Sequence, residues 1–423
     1  EALAEHANAN LDGVFDDCMS TFFRNVDNRT DRDLPCDDGP QPICDLKARA
    51  ILVDMESGPV SQTLRGELGG LFDQRQFVTD VSGAGNNWAH GNAIFGPKYN
   101  DELLEAIRRA AELCDSLQSF FLMHSLGGGT GSGLGTYLLT LLEDHFPDVY
   151  RFSTVVFPSE DDDVITSPYN SILALNELTE HADCVLPVDN SSLTKVVATW
   201  SSNPEVRSGR AAASVGFDAM NRVVARLLTD LTASMRFSGD LNVDLNEITT
   251  NLVPYPRLHY LLSSLSATPV DMDVSEGYAS SSRFGVHEAR PRRMTQMFSE
   301  AFSTSRQLVR TDPRFVTLRG SQNHRGHSSY IFLVNFKSAC IAHRRSPKPV
   351  VGMLRRRSRF LACGLLVRGD VVVSDVNANI ERLASELDMV HWNPDGYKIG
   401  LCSVPPVGVQ QSLLCLANNC CIK

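Results

Sequence analysis

The apolar positions of the first 190 residues alternate between short continuous runs and longer stretches with helical spacing. The short runs predict strands at Ala50–Asp54, Gln76–Thr79, Ser119–His124, Phe152–Phe157 and Cys184–Val188. The stretches between them predict helices at Asp101–Cys114 and Leu134–His145. Alternation of this kind favours a Rossmann-like α/β fold, in which parallel strands carry helices on both faces. Ligands of such sheets bind at the carboxyl ends of the strands, so the loops that follow the strands are where chemistry is expected.

The rest of the chain follows a different pattern. Residues 191–215 are rich in Ser, Ala and Arg, and we interpret them as a connecting segment. Phe217–Met235 contains neither Gly nor Pro and places its apolar side chains on one face, which predicts a long helix. Strand candidates at Leu361–Val367, Leu401–Val404 and Leu413–Ala417 then predict a second α/β domain.

Composition narrows the classes of function. The chain has 423 residues, enough for two or three domains. Its 39 Lys and Arg against 50 Asp and Glu give a net charge of -11, which argues against broad nucleic-acid binding. No apolar run reaches the roughly 18–20 residues that span a bilayer, so no membrane partner is expected. The 11 Cys lack zinc-type spacing, which favours free thiols in a reducing cytosol.

One segment, residues 321–359, departs from this acidic composition. It contains two basic clusters, His343–Arg345 and Arg355–Arg359. Clusters of this kind occur in nuclear addresses and in nucleic-acid-binding patches. An exposed insertion, or translated non-coding sequence, explains the same composition, and we favour that interpretation.

The candidate chemistry centres on Gly127–Gly133, a Gly-Gly-Gly-Thr-Gly-Ser-Gly loop between a predicted strand and a predicted helix. The glycines predict close approach to an anion and positive φ angles, and the backbone N–H groups with the helix N-terminus favour a phosphate. Ser125, Thr130 and Ser132 can add hydroxyl donors. The loop lacks the Lys of a Walker-type P-loop, and its glycine spacing does not fit Gly-x-Gly-x-x-Gly. A flexible glycine-rich linker is the alternative, which the flanking apolar strand and helix argue against.

Two earlier loops also follow predicted strands. Asp54 and Glu56 suit a hydrated Mg²⁺ beside phosphates, although two exposed acids are also typical of a solvated surface. Ser82–Trp88 supplies backbone N–H donors and an amide, as an ordinary turn would. Either loop alone is weak evidence for a ligand-binding site.

Three later residues could recognise a base. Asn190 follows the fifth predicted strand, and Asn221 lies on the long helix one turn after Phe217. An amide can read the edge of a purine and an aromatic ring can stack on its face. A lone Asn on a helix is otherwise a surface residue.

Six motifs in one order resemble landmarks of the tubulin family. They are Val53–Glu56, Ala84–Ala89, Ser125 with Gly127–Gly133, Ser167–Asn170, Val188–Asn190 and Asn251–Arg257. The resemblance runs from about Ala48 to the C-terminus, apart from Pro269–Ala289, residues 321–359 and the segment before the long helix. The sequence resembles most the epsilon class, which belongs to centrioles and basal bodies, through Phe217–Asn221, Glu160–Asp163 and Leu401–Asn418.

This resemblance implies a site for GTP or GDP with Mg²⁺. The residues that it assigns to the phosphates are Ser125, Gly128, Gly129, Thr130 and Gly131, with Asn86 at the distal phosphate. It assigns the Mg²⁺ region to Glu56 and Asp54, the neighbourhood of the sugar to Asp163, and the guanine to Asn190, Phe217 and Asn221. Ser167 stands where many tubulins have an acid, which puts one ribose contact in doubt.

The segment Gly239–Glu247 contains three acids, which the residues alone would place in a solvated loop and helix start. The resemblance implies instead that this segment meets the nucleotide of the next subunit along a filament. Glu247 would orient or deprotonate the water that attacks the γ-phosphate of that neighbour's GTP, with Asp244 assisting. GTPase activity is then expected only on contact between subunits.

The resemblance also implies a domain plan. A GTP-binding domain would cover 1–190, a connector and central helix 191–237, and an intermediate domain with a mixed sheet 238–423, with an atypical insert at about 321–359. The family's first strand and its C-terminal helical domain have no counterpart here, and residue 1 is Glu rather than Met, so we expect a fragment.

We therefore expect a GTP-binding structural subunit of microtubule assemblies in centrioles or basal bodies, in the cytoplasm and cytoskeleton. Its partners would be other tubulins of the alpha, beta or delta type, through longitudinal contacts, and centriole or basal-body components. Two alternatives stay open: a GTPase switch that does not polymerise, and a tubulin-like binding module that has lost its nucleotide.

Overall fold

The computed structural model describes most of the chain. The described residues are 1–9, 13–27, 29–30, 32–34, 39–159, 164–200, 216–266, 294–313, 315–319 and 353–421, with 315–319 and 353–357 described by their backbone. They form parallel strands covered by helices, followed by a mixed sheet. The predicted α/β fold class is confirmed.

The chain begins with short elements, of which the sequence predicts only a helix within the first ten residues. They are α1 (Ala2–Ala9), β1 (Val14–Phe15), α2 (Asp17–Ser20), β2 (Phe23–Asp27), β3 (Arg32–Asp33), β4 (Gln41–Pro42) and β5 (Asp45–Ala48). β2 pairs with β3 and β5, and β1 pairs with β4, all antiparallel. Strands of two to five residues are too short for an alternating pattern to show.

Parallel strands and helices then alternate as predicted. The strands are β6 (Leu52–Asp54), β7 (Phe77–Thr79), β8 (Ser119–Ser125), β9 (Tyr150–Phe157) and β10 (Cys184–Asp189). The helices are α3 (Ser57–Arg65), α4 (Gly96–Glu112), α5 (Gly135–His145), α6 (Ser167–His181) and α7 (Asn190–Trp200). β6 pairs with β7, while β9 lies between β8 and β10.

The two faces of the β8–β10 sheet are buried by different helices. Phe152 and Leu186 lie in a core cluster with apolar residues of α7 and of the following long helix. Val155 and Val185 point the other way, into a cluster with residues of α5 and α6. Because successive side chains of a strand alternate between faces, β9 and β10 have buried side chains at consecutive positions.

The long helix connects this sheet to the second domain. It is α8 (Phe217–Leu231), followed by α9 (Ala233–Arg236). Val223, Leu227 and Leu231 are fully or almost fully buried and share a cluster with Leu366 and Leu414 of the second sheet. One helix face therefore contributes to a core shared by both sheets.

The second domain contains the predicted mixed sheet. Its elements are α10 (Leu245–Leu252), β11 (Leu262–Leu265), α11 (Met294–Ala301), β12 (Phe315–Arg319), β13 (Met353–Arg357), β14 (Phe360–Gly369), α12 (Val373–Glu386), β15 (Tyr397–Cys402) and β16 (Gln411–Asn419). The sheet order is β11-β16-β14-β15, with β14 parallel to β15 and antiparallel to β16. β12 and β13 form an antiparallel pair, and the part of the basic segment between them lies outside the described residues.

Several predicted boundaries are wrong. The helix expected from Asp101 begins at Gly96, and the strand expected at Leu401–Val404 is Tyr397–Cys402. The helix expected from Leu134 begins at Thr130, because the second half of the glycine loop forms a π-helical turn, Thr130–Leu134, that runs into α5. The connecting segment expected from residue 191 is helical up to Trp200, since Leu193, Val196 and Val197 pack into the core. Residues 201–215 of that segment lie outside the described ranges.

A buried charge network links the first helix to the second sheet. Arg368 of β14 donates to Glu5 Oε1 at 2.9 Å and to Asp230 Oδ1 at 2.8 Å, and Arg236 donates to Glu5 Oε2 at 2.7 Å. These four side chains are at most 1% exposed. Burial alone would raise the pKa of Glu5, but Arg368 and Arg236 outweigh it and hold that pKa below its usual value.

Across the described ranges, no helix combines the length and the apolar character needed to cross a membrane.

Candidate nucleotide-binding site

The glycine loop lies at the carboxyl end of β8. Ser125, which ends the strand, is exposed, and the next residue, Leu126, is fully buried and donates its N–H to the Val156 carbonyl at 3.0 Å. The chain then passes through Gly127–Gly129 and enters the π-helical turn at Thr130. The start of a helix thus directly follows a strand of the parallel sheet, an arrangement that suits anion binding.

Most glycines of this loop allow close packing rather than unusual φ angles. A Cβ at Gly131 would lie 2.5 Å from the Ser125 carbonyl oxygen, and one at Gly129 would lie 2.6 Å from the Asn87 nitrogen. Gly128 differs, because its nearest neighbour would be Asn86 Oδ1 at 3.8 Å. None of these glycines has a positive φ, so that expectation is wrong for this loop.

Positive φ angles occur instead in the loop after β7. Gly83, Gly85 and Asn86 have φ values of 60°, 56° and 51°. Only Asn and Gly adopt this region readily, which explains the residue types found here. The turn leaves Asn86 exposed beside the open side of Gly128.

Asn170 joins these two loops and was missed as a site residue. It is buried near the start of α6 and donates to the carbonyls of Asn86 at 2.8 Å and Gly127 at 2.9 Å. Its Oδ1 accepts from the Trp88 N–H at 2.9 Å. One amide therefore fixes the spacing of the loops, and the Ser167–Asn170 motif was the signal that could have revealed it.

The hydroxyl groups divide into two kinds. Ser132 is buried and donates to the Gly128 carbonyl, so it supports the loop from inside and does not face a ligand. Ser125 is exposed and Thr130 is half-buried, so their hydroxyls stay accessible. Ser167 is buried, and its hydroxyl reaches the Gly127 carbonyl at 3.4 Å.

The two candidate magnesium ligands lie next to the β7 loop. A Cβ at Gly83 would lie 2.8 Å from Glu56 Oε1, so this glycine makes room for the carboxylate. Burial raises the pKa of Asp54 above its usual value, and the nearby Glu56 charge adds to the rise. A cation beside the pair would relieve this repulsion, so the residues fit a hydrated Mg²⁺ that also binds phosphate. Within the described ranges, no three or more His, Cys, Asp or Glu side chains lie close enough together to hold a metal ion by themselves.

The candidate base-binding residues lie on two helices that pack together. Asn190 begins α7, and Thr194 of that helix contacts Met220 of α8 at 3.6 Å. Phe217 and Asn221 are exposed one turn apart on α8, with Phe217 70% exposed. This arrangement leaves an amide and an aromatic face free for a planar ligand. Asp163, assigned to the sugar, lies outside the described residues.

The acidic segment lies at the other end of the sheet. Asn246 accepts a hydrogen bond from the Tyr150 hydroxyl at 2.7 Å, and Tyr150 is the first residue of β9. The glycine loop follows the carboxyl end of β8, which is parallel to β9. Because β9 has eight residues, the two ends are about 25 Å apart. Glu247 therefore cannot act on a nucleotide held by this chain's own glycine loop.

Asp244 and Glu247 have different surroundings. Asp244 is the N-cap of α10 and accepts the Glu247 N–H at 2.7 Å. The Glu247 carboxylate lies 2.7 Å from Lys398 Nζ on β15. Lys398 was missed because it lies far along the chain from Glu247, in a strand whose pairing no local pattern reveals.

Comparison with known proteins identifies the architecture. A family model described as "Tubulin/FtsZ family, GTPase domain" matches residues 4–198, and one described as "Tubulin C-terminal domain" matches residues 345–423. The chain belongs to the tubulin family. The first match extends the similarity to residues before Ala48, where the sequence motifs had not detected it.

Individual tubulins agree with this assignment. The chain is 48% identical to "Tubulin epsilon chain" of Homo sapiens, over 100% of this chain and 81% of that protein. It is 32% identical to "Tubulin alpha-1 chain" of Saccharomyces cerevisiae, over 88% of this chain and 69% of the relative. It is 30% identical to "Tubulin beta chain" of Porphyra purpurea, over 89% of this chain and 69% of that protein.

The tubulin GTPase-domain match implies binding of a guanine nucleotide. The glycine loop, the Asn86 loop and the start of α6 come together at the carboxyl end of the parallel strands, as ligand sites of α/β sheets do. Asn190 directly follows β10, another strand of the same sheet, at its carboxyl end.

Proposed function

We propose that this tubulin-family chain is a GTP-binding structural subunit that assembles head to tail with other tubulins of the alpha, beta or delta type. The observation that carries the proposal is the separation of its two chemical regions. The glycine loop lies at the carboxyl ends of the parallel strands and Glu247 at their amino ends. Stacking one subunit on the next would bring one chain's Glu247 to the other chain's nucleotide.

In this proposal the nucleotide is held by the residues assigned to it above. Gly128 and Asn86 form the accessible side of the phosphate site, with Ser125, Gly129, Thr130 and Gly131 around it. Asp54 and Glu56 would hold Mg²⁺, which neutralises phosphate charge. Asp163 would lie near the sugar, and Asn190, Phe217 and Asn221 would hold the guanine.

Hydrolysis would require the neighbouring subunit. Glu247 would take a proton from the water that attacks the γ-phosphorus, the bond to the β-phosphate oxygen would break, and GDP and phosphate would leave. Asp244 would assist by fixing the start of α10, on which Glu247 lies. A chain that makes no such contact should turn over little GTP.

Exposed apolar residues at both ends of the parallel sheet support a head-to-tail contact between subunits. Ile165 and Tyr169 are exposed at the start of α6, beside the glycine loop. Tyr255 and Trp392 pack edge to face, with centroids 5.7 Å apart, and both stay about half exposed. Tyr255 is near the amino end of the sheet, since Arg257 pairs with Glu180 in the last turn of α6. Two different apolar patches at opposite ends favour a heterologous, filament-forming contact.

Substitution of Glu247 tests the proposal. Glu247→Gln should reduce assembly-dependent phosphate release by about 100-fold or more, the usual contribution of a general base. Binding of GTP by the variant itself should not change, because its glycine loop lies at the other end. Unchanged phosphate release would contradict the assignment.

We further propose that the assemblies are those of centrioles or basal bodies, in line with the similarity to epsilon chains. A fluorescently tagged chain should localise to these structures, and the purified chain should pellet with microtubules in a salt-reversible manner. Failure to pellet, together with GTP turnover by the isolated chain, would favour a non-polymerising switch. Absence of nucleotide would favour a binding module that has lost it.

A further inference from the structure

We propose that Lys398 is the positioning residue for Glu247, holding its carboxylate ready for the water that attacks the neighbour's GTP. This inference rests on the proposed function of Glu247 and adds a residue to it.

The contact leaves one carboxylate oxygen accessible. Lys398 Nζ lies 2.7 Å from Glu247 Oε2 in an ion pair without hydrogen-bond geometry, and that oxygen is buried. The Glu247 side chain is nevertheless 45% exposed, so Oε1 is the oxygen that solvent reaches. A carboxylate held at Oε2 presents Oε1 in a defined direction, which a freely rotating side chain would not do.

The backbone around Lys398 is fixed against the acidic segment. The Leu401 N–H donates to the Leu241 carbonyl at 2.9 Å, which joins β15 to the segment. A Cβ at Gly400 would lie 3.1 Å from Val243 Cγ2. Lys398 is two residues before Gly400 and therefore on the same strand face, towards the segment.

Glu247 is thus held at both ends. Its N–H is bound by the Asp244 carboxylate, and its own carboxylate by the Lys398 ammonium. General-base catalysis needs the base within hydrogen-bond reach of the water, and a displacement of about 1 Å can cost about 100-fold in rate. An ion pair that limits the carboxylate to one position would keep it in reach.

The test is a double-mutant cycle on assembly-dependent phosphate release. Lys398→Met should lower the turnover number about tenfold, with the concentration needed for assembly unchanged, because misplacing a group costs rate rather than binding. Lys398→Arg should restore most of the rate. In a Glu247→Gln background, Lys398→Met should change the rate by less than about twofold, since residues that act as a unit are not additive.

A matched control is available at Lys47. Its Nζ lies 3.1 Å from Asp45 Oδ2, and the two side chains are 21% and 38% exposed, against 27% and 45% for Lys398 and Glu247. Lys47→Met should leave the turnover unchanged. A loss of the same size there would show a general effect of removing an ion pair and would overturn the inference.

A second measurement on the free chain does not depend on turnover. The lysines are methylated with ¹³C, and the Lys398 resonance is identified by its loss in Lys398→Arg. Glu247→Gln should shift this resonance and leave that of Lys47 in place. An unmoved Lys398 resonance would show that the ion pair does not form and would overturn the inference.

The outcomes separate the two proposals. If Glu247→Gln does not change phosphate release, the proposed function fails. If it abolishes release while Lys398→Met does not change it, only the positioning role fails. A Lys398→Met effect of equal size with and without Glu247 would show that Lys398 acts independently, which also contradicts that role.

Discussion

Replacing Gly128 with Ala probes the phosphate site without disturbing the fold. The added methyl group would lie 3.8 Å from Asn86 Oδ1, an ordinary contact distance, and Gly128 has no positive φ. Loss of glycine freedom in the unfolded chain should then stabilise the variant by about 0.4–1 kcal/mol. The methyl group faces the space where the phosphates are expected.

In the bound state the same methyl group should clash with the ligand. Crowding a packed site by one methyl group costs about 1–3 kcal/mol. Because each 1.4 kcal/mol is tenfold in affinity, the dissociation constant for GTP should rise about 5- to 150-fold. Titration with a fluorescent GTP analogue measures this change, and thermal unfolding without nucleotide checks the fold. A variant of normal stability that binds GTP as tightly as the parent would refute this description of the site.

Gly131→Ala, in contrast to Gly128→Ala, should disturb the packing of the glycine loop itself. Its Cβ would lie 2.5 Å from the Ser125 carbonyl oxygen, so the backbone must move. We expect this variant to lose about 1–3 kcal/mol of stability as well as affinity. Equal stability of the two alanine variants would contradict the packing described for the loop.

Three further predictions concern the base-binding residues, the hydrogen bonds by which Asn170 joins the two loops, and the buried charge network. Phe217→Ala should weaken GTP binding by about 1–3 kcal/mol, typical of lost base stacking, at nearly unchanged stability, since the ring is 70% exposed. Asn170→Ala should lower both the melting temperature and GTP affinity, because each buried partner left unsatisfied costs about 1–3 kcal/mol. Arg368→Met should reduce the free energy of unfolding in urea by about 3–5 kcal/mol, because Glu5 and Asp230 stay buried without it. The pKa of Glu5 is lowered from an ordinary value of 4.5, so the Glu5 carboxylate stabilises the fold fully above that pH. This contribution is lost as the pH falls through the folded-state pKa. Measuring the free energy of unfolding at decreasing pH should detect the loss.

Each of these variants has a control in the chain. Tyr255→Ala removes an exposed aromatic ring at the opposite end of the sheet and should not affect GTP affinity. Asn176→Ala lies on the same helix as Asn170 but is exposed, and it should have little effect. Arg108→Met removes two surface ion pairs, with Glu105 and Glu112, whose side chains are about half exposed, and it should change stability by less than about 1 kcal/mol. Effects in these controls as large as in the test variants would contradict the three explanations.

Sequence patterns predicted where the parallel strands lie along the chain, because buried strands and amphipathic helices have distinct periods. They also predicted that the Gly127–Gly133 loop would lie at a strand end. They did not predict that Thr130 is already helical, because Gly, Ser and Thr are typical of loops and only tertiary packing holds them in a π-helical turn.

Other features depend on contacts between distant parts of the chain. Asn170 acts through loops that precede it by more than 40 residues, and the Glu247–Lys398 pair depends on β15 packing beside α10. Glu5 is the clearest case, since its two arginine partners lie on α9 and β14. No local pattern encodes such pairings, so they could be found only from the folded chain.

The central claim is that the glycine loop holds a guanine nucleotide. The most direct measurement is to purify the protein from its native source, release any ligand by denaturation and quantify it by ion-exchange chromatography. The account predicts close to one guanine nucleotide per chain, and a clear decrease in the Gly128→Ala variant. Protein that is folded but carries no nucleotide, or carries adenine nucleotide instead, would contradict it.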